Sequence, residues 1–110
     1  MKLSEMAEKL GVRALFEPYN DTEVLTAYAG DLLSDVMGNA PDGAVLITIQ
    51  AHKNTIAVAS LKESPAIIIC NSRPAAEDML EAAKDEGIAV FVSDKNQFEI
   101  AGSLYALLYP

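Results

Sequence analysis

Three runs decide the fold: Ala44-Val-Leu-Ile-Thr-Ile49, Ala66-Ile-Ile-Ile-Cys70 and Ile88-Ala-Val-Phe-Val92. Each is short, rich in β-branched residues and apolar almost throughout. Alternation would mark a strand with one wet face, whereas continuous runs mark strands buried on both faces. Between the second and third runs, Ala76, Met79, Leu80 and Ala83 share one helical face, with Glu77, Asp78, Glu81, Lys84 and Asp85 opposite. Pro74 suits the start of that helix and Gly87 its end. Thr55–Leu61 is apolar nearly all round and reads as a buried helix or, less favourably, another strand. Asn96 followed by Glu99 forms a capping-box pattern. Ala101, Leu104, Tyr105 and Leu108 give the last helical stripe. From Ala44 onward the order is therefore strand, helix, strand, helix, strand, helix. Short links between buried strands predict an α/β fold whose sheet is largely parallel and covered by helices on both faces.

The first forty residues are less regular. Leu3, Met6, Ala7 and Leu10 have helical spacing, with Ser4 as the expected cap and Gly11 as the stop. Val12–Phe16 reads as a strand, and Glu23–Ala29 as a second, weaker one. Gly30-Asp31 then opens a helix faced by Leu32, Leu33, Val36 and Met37, with Asp31 expected at its N-cap or in its first turn. Asn39-Ala-Pro41-Asp42-Gly43 is a dense turn signal. This irregular start makes a mixed sheet the expectation.

Composition narrows the function. The 110 residues, 51% of them hydrophobic, suffice for a single domain, 1–110, with its own core. Sixteen acidic against eight basic residues leave a net charge of −8. A nucleic-acid binder needs a basic face, so nucleic acid is not an expected partner. One cysteine forms no internal disulfide and no cysteine metal cluster. Met1–Leu10 carries charges where a signal peptide needs an apolar run. No stretch approaches the ~20 apolar residues of a membrane span. A reduced, cytoplasmic protein without a membrane partner is the default expectation. Mean hydropathy is positive, which favours apolar surface closing against a second copy.

No catalytic constellation stands out. There is no phosphate loop, no dinucleotide fingerprint and no nucleophile elbow. His52 is the only histidine. A Cys70/His52 dyad is one reading; a small buried hydrophobe at a strand end is the more ordinary reading of Cys70. Asp31 and Asp35 lie one helical turn apart, as a cap plus a solvated acid or as a cation pair. Neither carries a cofactor expectation, and a non-catalytic protein follows. The residual enzyme reading rests on His52 with Asp31, Asp35 or Cys70.

Position supplies the candidate site. In open parallel sheets, ligands sit beyond the strand carboxyl ends. There the sequence places Thr26, Gly30, Asp31 and Ser34, then Gln50, His52 and Asn54, then Asn71, Ser72 and Arg73, then Ser93 and Asp94. Arg73 is one of two arginines and stands just before an expected helix start, two features that favour an anion. His52 has its own alternatives: a helix cap, a donor to ligand, or a pH-sensitive contact between subunits.

The stretch Gly30-Asp-Leu-Leu-Ser34-Asp35-Val-Met resembles the DRTGG domain family, related to the N-terminal domain of HPr serine kinase/phosphorylase. Support continues through Ile47-Thr-Ile-Gln50-Ala-His52, Ile67–Asn71, Ala75–Gly87 and the closing segment with Phe98, Glu99, Ala101 and Tyr105. The likeness covers nearly the whole chain. At the namesake motif this chain departs: it reads Asp21-Thr22 for Asp-Arg, then Thr26-Ala27 where paired glycines would stand. The resemblance implies a three-layer α/β/α domain around a mixed, mostly parallel sheet. It also implies an accessory regulatory module, found beside CBS or acyltransferase domains or alone, without the kinase's P-loop domain. The expected function is a homodimeric sensor for a small anionic ligand, a nucleotide or phosphorylated metabolite. The alternative is an interaction subunit of a larger enzyme with no ligand of its own.

Overall fold

A computed structural model describes residues 1–110. In chain order the elements are α1 (Leu3–Leu10), β1 (Arg13–Ala14), β2 (Ala27–Ala29), α2 (Leu33–Asn39) and β3 (Val45–Thr48). There follow α3 (Lys53–Leu61), β4 (Ala66–Ile69), α4 (Glu77–Glu86), β5 (Ala89–Val92) and α5 (Gln97–Leu108). The five strands form one sheet in the order β1-β5-β4-β3-β2. β2, β3, β4 and β5 are parallel, and β1 joins the β5 edge antiparallel. The sheet is thus mixed and mostly parallel, as expected.

The apolar runs account for the layering. Every residue of β3 and β4 is buried. Alternate side chains of the strands point to opposite faces. Val45, Ile47, Ile68, Ala89 and Phe91 pack with Leu3, Met6 and Leu10 of α1 and with Ile100 and Leu104 of α5. Leu46, Ile67, Ile69 and Val90 pack on the other face with Val36, Ile56, Ala59, Met79 and Ala83 of α2, α3 and α4. This is a three-layer α/β/α arrangement.

Thr55–Leu61 is helical, within α3, the favoured of its two readings. Other expectations need correction. Val12–Phe16 pairs as a ladder only at Arg13 and Ala14, and Glu23–Ala29 only over its last three residues. Both lie at sheet edges, where one neighbour rather than two holds the strand. α4 starts at Glu77, not at Pro74. In α5 the fully buried positions are Ile100 and Leu104, while Tyr105 is 66% exposed. The Asn96–Glu99 capping box is present, each side chain bonded to the other's backbone N–H. Gly11 and Gly87 close α1 and α4 in the left-handed conformation.

Ser4 does not cap α1; Lys2 holds that position without a side-chain bond. The cap comes from across the fold. The Asp21 carboxylate accepts from Ser4 N at 2.8 Å and Ser4 Oγ at 2.6 Å. These bonds, the hydroxyl's foremost, hold the Asp21 carboxyl below its usual range. A lowered folded pKa adds stability above the unfolded value, and that contribution is lost as pH falls through the folded pKa. The gap in Tm between wild type and Asp21→Asn is therefore expected to be widest near neutrality and to narrow under acid. Melts across a pH series check this; a gap that does not change with pH contradicts it.

Candidate functional site

The four parallel strands send their carboxyl ends to one edge of the sheet, but the polar residues there do not form one pocket. They divide into three groups.

The first lies beyond β2 and β3 and is built around Asp31. Its Oδ1 accepts from Thr48 Oγ1 at 3.0 Å, Ile49 N at 2.9 Å and Gln97 Nε2 at 2.6 Å. Gln50 joins the group, donating Nε2 to the Asp31 carbonyl at 3.0 Å and N to Thr48 Oγ1 at 3.1 Å. Thr55 Oγ1 closes it on the Gln50 carbonyl at 2.8 Å. Asp31 is therefore not a helix cap. Leu32 precedes α2 with no side-chain bond, and Asp31 instead ties the β2–α2 turn to β3 and to α5. Gly30 is packed beside this turn, its N–H bonded to the Ile47 carbonyl. Ser34 is exposed in the first turn of α2. Asp35 faces away from a shared site with Asp31: it accepts from Tyr28 Oη at 2.6 Å and Asn39 Nδ2 at 2.8 Å.

The second group centres on His52. It precedes α3, is exposed, and makes no side-chain cap bond. It lines an open depression with Lys53, Asn54, Ala76 and Asp78, apart from Arg73. Cys70 is fully buried, and burial, with the Asp31 carboxylate adding to it, pushes its thiol up to about 11. A thiol so raised is not an activated nucleophile. Folded protein is expected to resist iodoacetamide at about pH 8 while the urea-unfolded chain reacts fully. Mass spectrometry reads the difference, and rapid labelling of the folded state contradicts it. No group of three or more metal-ligating side chains comes together. No helix is long and apolar enough to cross a membrane.

The third group forms a cleft of about 400 Å³ beyond β4 and β5, lined by Arg13, Ser72, Arg73, Pro74, Ser93 and Asp94 among others. Both arginines of the chain are here. Arg13 arrives because β1 is antiparallel: it pairs with Val92, so its side chain starts beside the carboxyl end of β5. Neither arginine is in an ion pair, despite sixteen acids in the chain. Asn71 and Ser72 have φ of 61° and 51°, a left-handed turn that is costly for serine. Ser72 N on Ser93 O at 2.8 Å and Asn71 N on Lys95 O at 2.9 Å pin the turn to the β5 loop. Ser93 is buried, with its hydroxyl accepting from Lys95 N. Those two amides are occupied, and the side chains that face a ligand are Arg13, Arg73 and the exposed Ser72. The helix start that sequence placed after Arg73 does not contribute. α4 begins four residues later and carries Glu77 and Asp78 in its first turn.

Sequence reading missed Arg13, which lies sixty residues from Arg73 on a strand that runs the other way. The scarcity of arginine was the available signal.

No protein-family model and no curated protein matches this chain. Among solved structures, the chain is similar to the CBS and DRTGG domains of the regulatory region of Clostridium perfringens pyrophosphatase, complexed with its activator diadenosine tetraphosphate. The TM-score is 0.69 at 16% identity, over 92% of this chain and 46% of that one. The likeness is one of fold. This chain spans about half the length of that regulatory region.

Proposed function

We propose that this chain is a non-catalytic regulatory module, working as a homodimer, that binds a small phosphorylated anion between Arg13 and Arg73. The observation that carries the reading is the gathering of both unpaired arginines in one cleft at the strand carboxyl ends. With Asp94 the only acid of the lining, the cleft holds two positive charges against one negative in a chain of net charge −8. A planar guanidinium binds phosphate oxygens in pairs, and two converging on one cleft fit a phosphate group better than a carboxylate. Ser72 adds a hydroxyl within the same lining. Two similarities support a regulatory role: the DRTGG resemblance of the sequence, and a fold shared with a regulatory region that binds a nucleotide activator. The buried, high-pKa Cys70 and the isolated His52 supply no catalytic pair.

A thermal-shift panel of inorganic phosphate, adenine nucleotides, diadenosine tetraphosphate and sugar phosphates tests the reading. A ligand at ~100 times its Kd adds about 2.7 kcal/mol, which raises the midpoint of a domain this size by roughly 10 °C. A panel that leaves a cooperative transition unmoved throughout overturns the ligand reading and favours the interaction subunit.

A further inference from the structure

The face of α5 turned away from the core is apolar and exposed; within the chain only Tyr105 and Tyr109 pack on each other, centroids 4.9 Å apart, with the Tyr109 hydroxyl 3.2 Å from Thr26 Oγ1. Phe98, Gly102, Tyr105 and Tyr109 recur at i, i+4, i+7 and i+11, one stripe along the helix and its end. Phe98 is 87%, Tyr105 66% and Tyr109 52% exposed. Beside this stripe runs β2, the outer strand of the sheet. Val45 N bonds Thr26 O and Gly30 N bonds Ile47 O, so alternate residues pair inward and the backbone groups of Ala27 and Ala29 face out. Between β2 and α5 lies a groove of about 290 Å³ lined by Thr26, Tyr28, Ile47, Tyr105, Leu108 and Tyr109.

Gly102 has no explanation within one chain. It sits inside a helix, where glycine costs stability relative to alanine. A Cβ added there meets nothing within 4 Å. A helix from outside the chain can approach closely there, as it can at Gly38 of α2, but only Gly102 lies within an exposed aromatic stripe.

Resting on the homodimer reading, we infer that this helix belongs to a second copy: two α5 helices cross antiparallel at Gly102, and each Phe98 enters the partner's β2–α5 groove. Spacing makes the face self-complementary, as a two-fold interface requires. Phe98 lies four residues before Gly102 and Tyr105 three after, so an antiparallel crossing sets Phe98 against the partner's Tyr105, which lines the groove. Charge selects the same face. α5 contains one charged residue, Glu99, and its carboxylate is engaged in the capping box. Two chains of net charge −8 meet with least repulsion through a neutral surface. The three exposed rings supply roughly half of the ~800 Å² per partner of an ordinary stable interface.

Sedimentation equilibrium of the full chain tests this with four variants. Wild type is expected at twice the 11.8 kDa chain mass. Phe98→Glu and Tyr105→Glu are expected at the monomer mass with cooperative melts, because both side chains are already exposed. Gly102→Ala is expected to weaken dimerisation at least about tenfold while melting no lower than wild type as a monomer. Leu61→Glu, equally exposed on α3, is expected to remain dimeric. A dimer indifferent to Phe98→Glu, Tyr105→Glu and Gly102→Ala overturns the interface and leaves the homodimer standing. A wild type that stays monomeric at high micromolar concentration overturns both.

Discussion

Asp31→Ala is expected to lower the Tm by roughly 10 °C or more. One carboxylate oxygen receives a buried hydroxyl and a backbone amide from the end of β3 and a side-chain amide from α5. Thr48 is completely buried, and its hydroxyl loses its carboxylate acceptor. A hydrogen bond to a charged group contributes about 1.5–3 kcal/mol, and three sharing one atom do not add fully. A total of about 2–4 kcal/mol follows, at roughly 4–6 °C for each in a domain of this size. Asp31→Asn keeps a carbonyl oxygen in place and should lose less than half as much. Thermal melts of the two variants decide it. An Asp31→Ala protein melting with wild type contradicts the structural role. An Asp31→Asn protein that folds normally but no longer binds the ligand would instead return Asp31 to the binding site.

The arginine pair carries the second large effect. Once the panel identifies a ligand, Arg13→Ala and Arg73→Ala are each expected to weaken binding roughly 10- to 100-fold, since a charge-assisted hydrogen bond contributes about 1.5–3 kcal/mol. The double variant should lose close to the product if the two guanidiniums hold separate oxygens, and less if they share one. Both residues are exposed and outside any ion pair, so neither change should lower the Tm of the free protein appreciably. Arg→Lys at either position should recover only part of the affinity, because an ammonium cannot match the paired geometry. Titration calorimetry reads wild type and all five variants. Unchanged affinity in the double variant removes the ligand from this cleft.

The central strands were legible because burial on both faces leaves a signature in their own residues: β3, β4 and β5 lie within the three apolar runs. α4 and the capping box of α5 were legible for the same reason, since their signals are local. The edges were not. β1 and β2 are set by one neighbouring strand each, so apolar runs at Val12–Phe16 and Glu23–Ala29 overstate the pairing. Asp31 looked like a helix cap because its partners lie 17, 18 and 66 residues away, and no local pattern records them. Arg73 was visible from its place after β4, whereas Arg13 depended on the direction of β1. Tyr105 fitted a core stripe by spacing. Its exposure follows from a rotation of α5 that places Ile100 and Leu104 against the sheet.

The most direct test of the central claim uses the scarcity of arginine itself. In a proton–nitrogen correlation spectrum, two arginines give two side-chain Nε–H signals, which the Arg13→Ala and Arg73→Ala variants assign. Titration of the best ligand from the panel is expected to move both signals together, with the affinity measured by calorimetry. Binding that shifts backbone amides elsewhere while both arginine signals stay fixed would place the ligand outside the cleft and contradict the account.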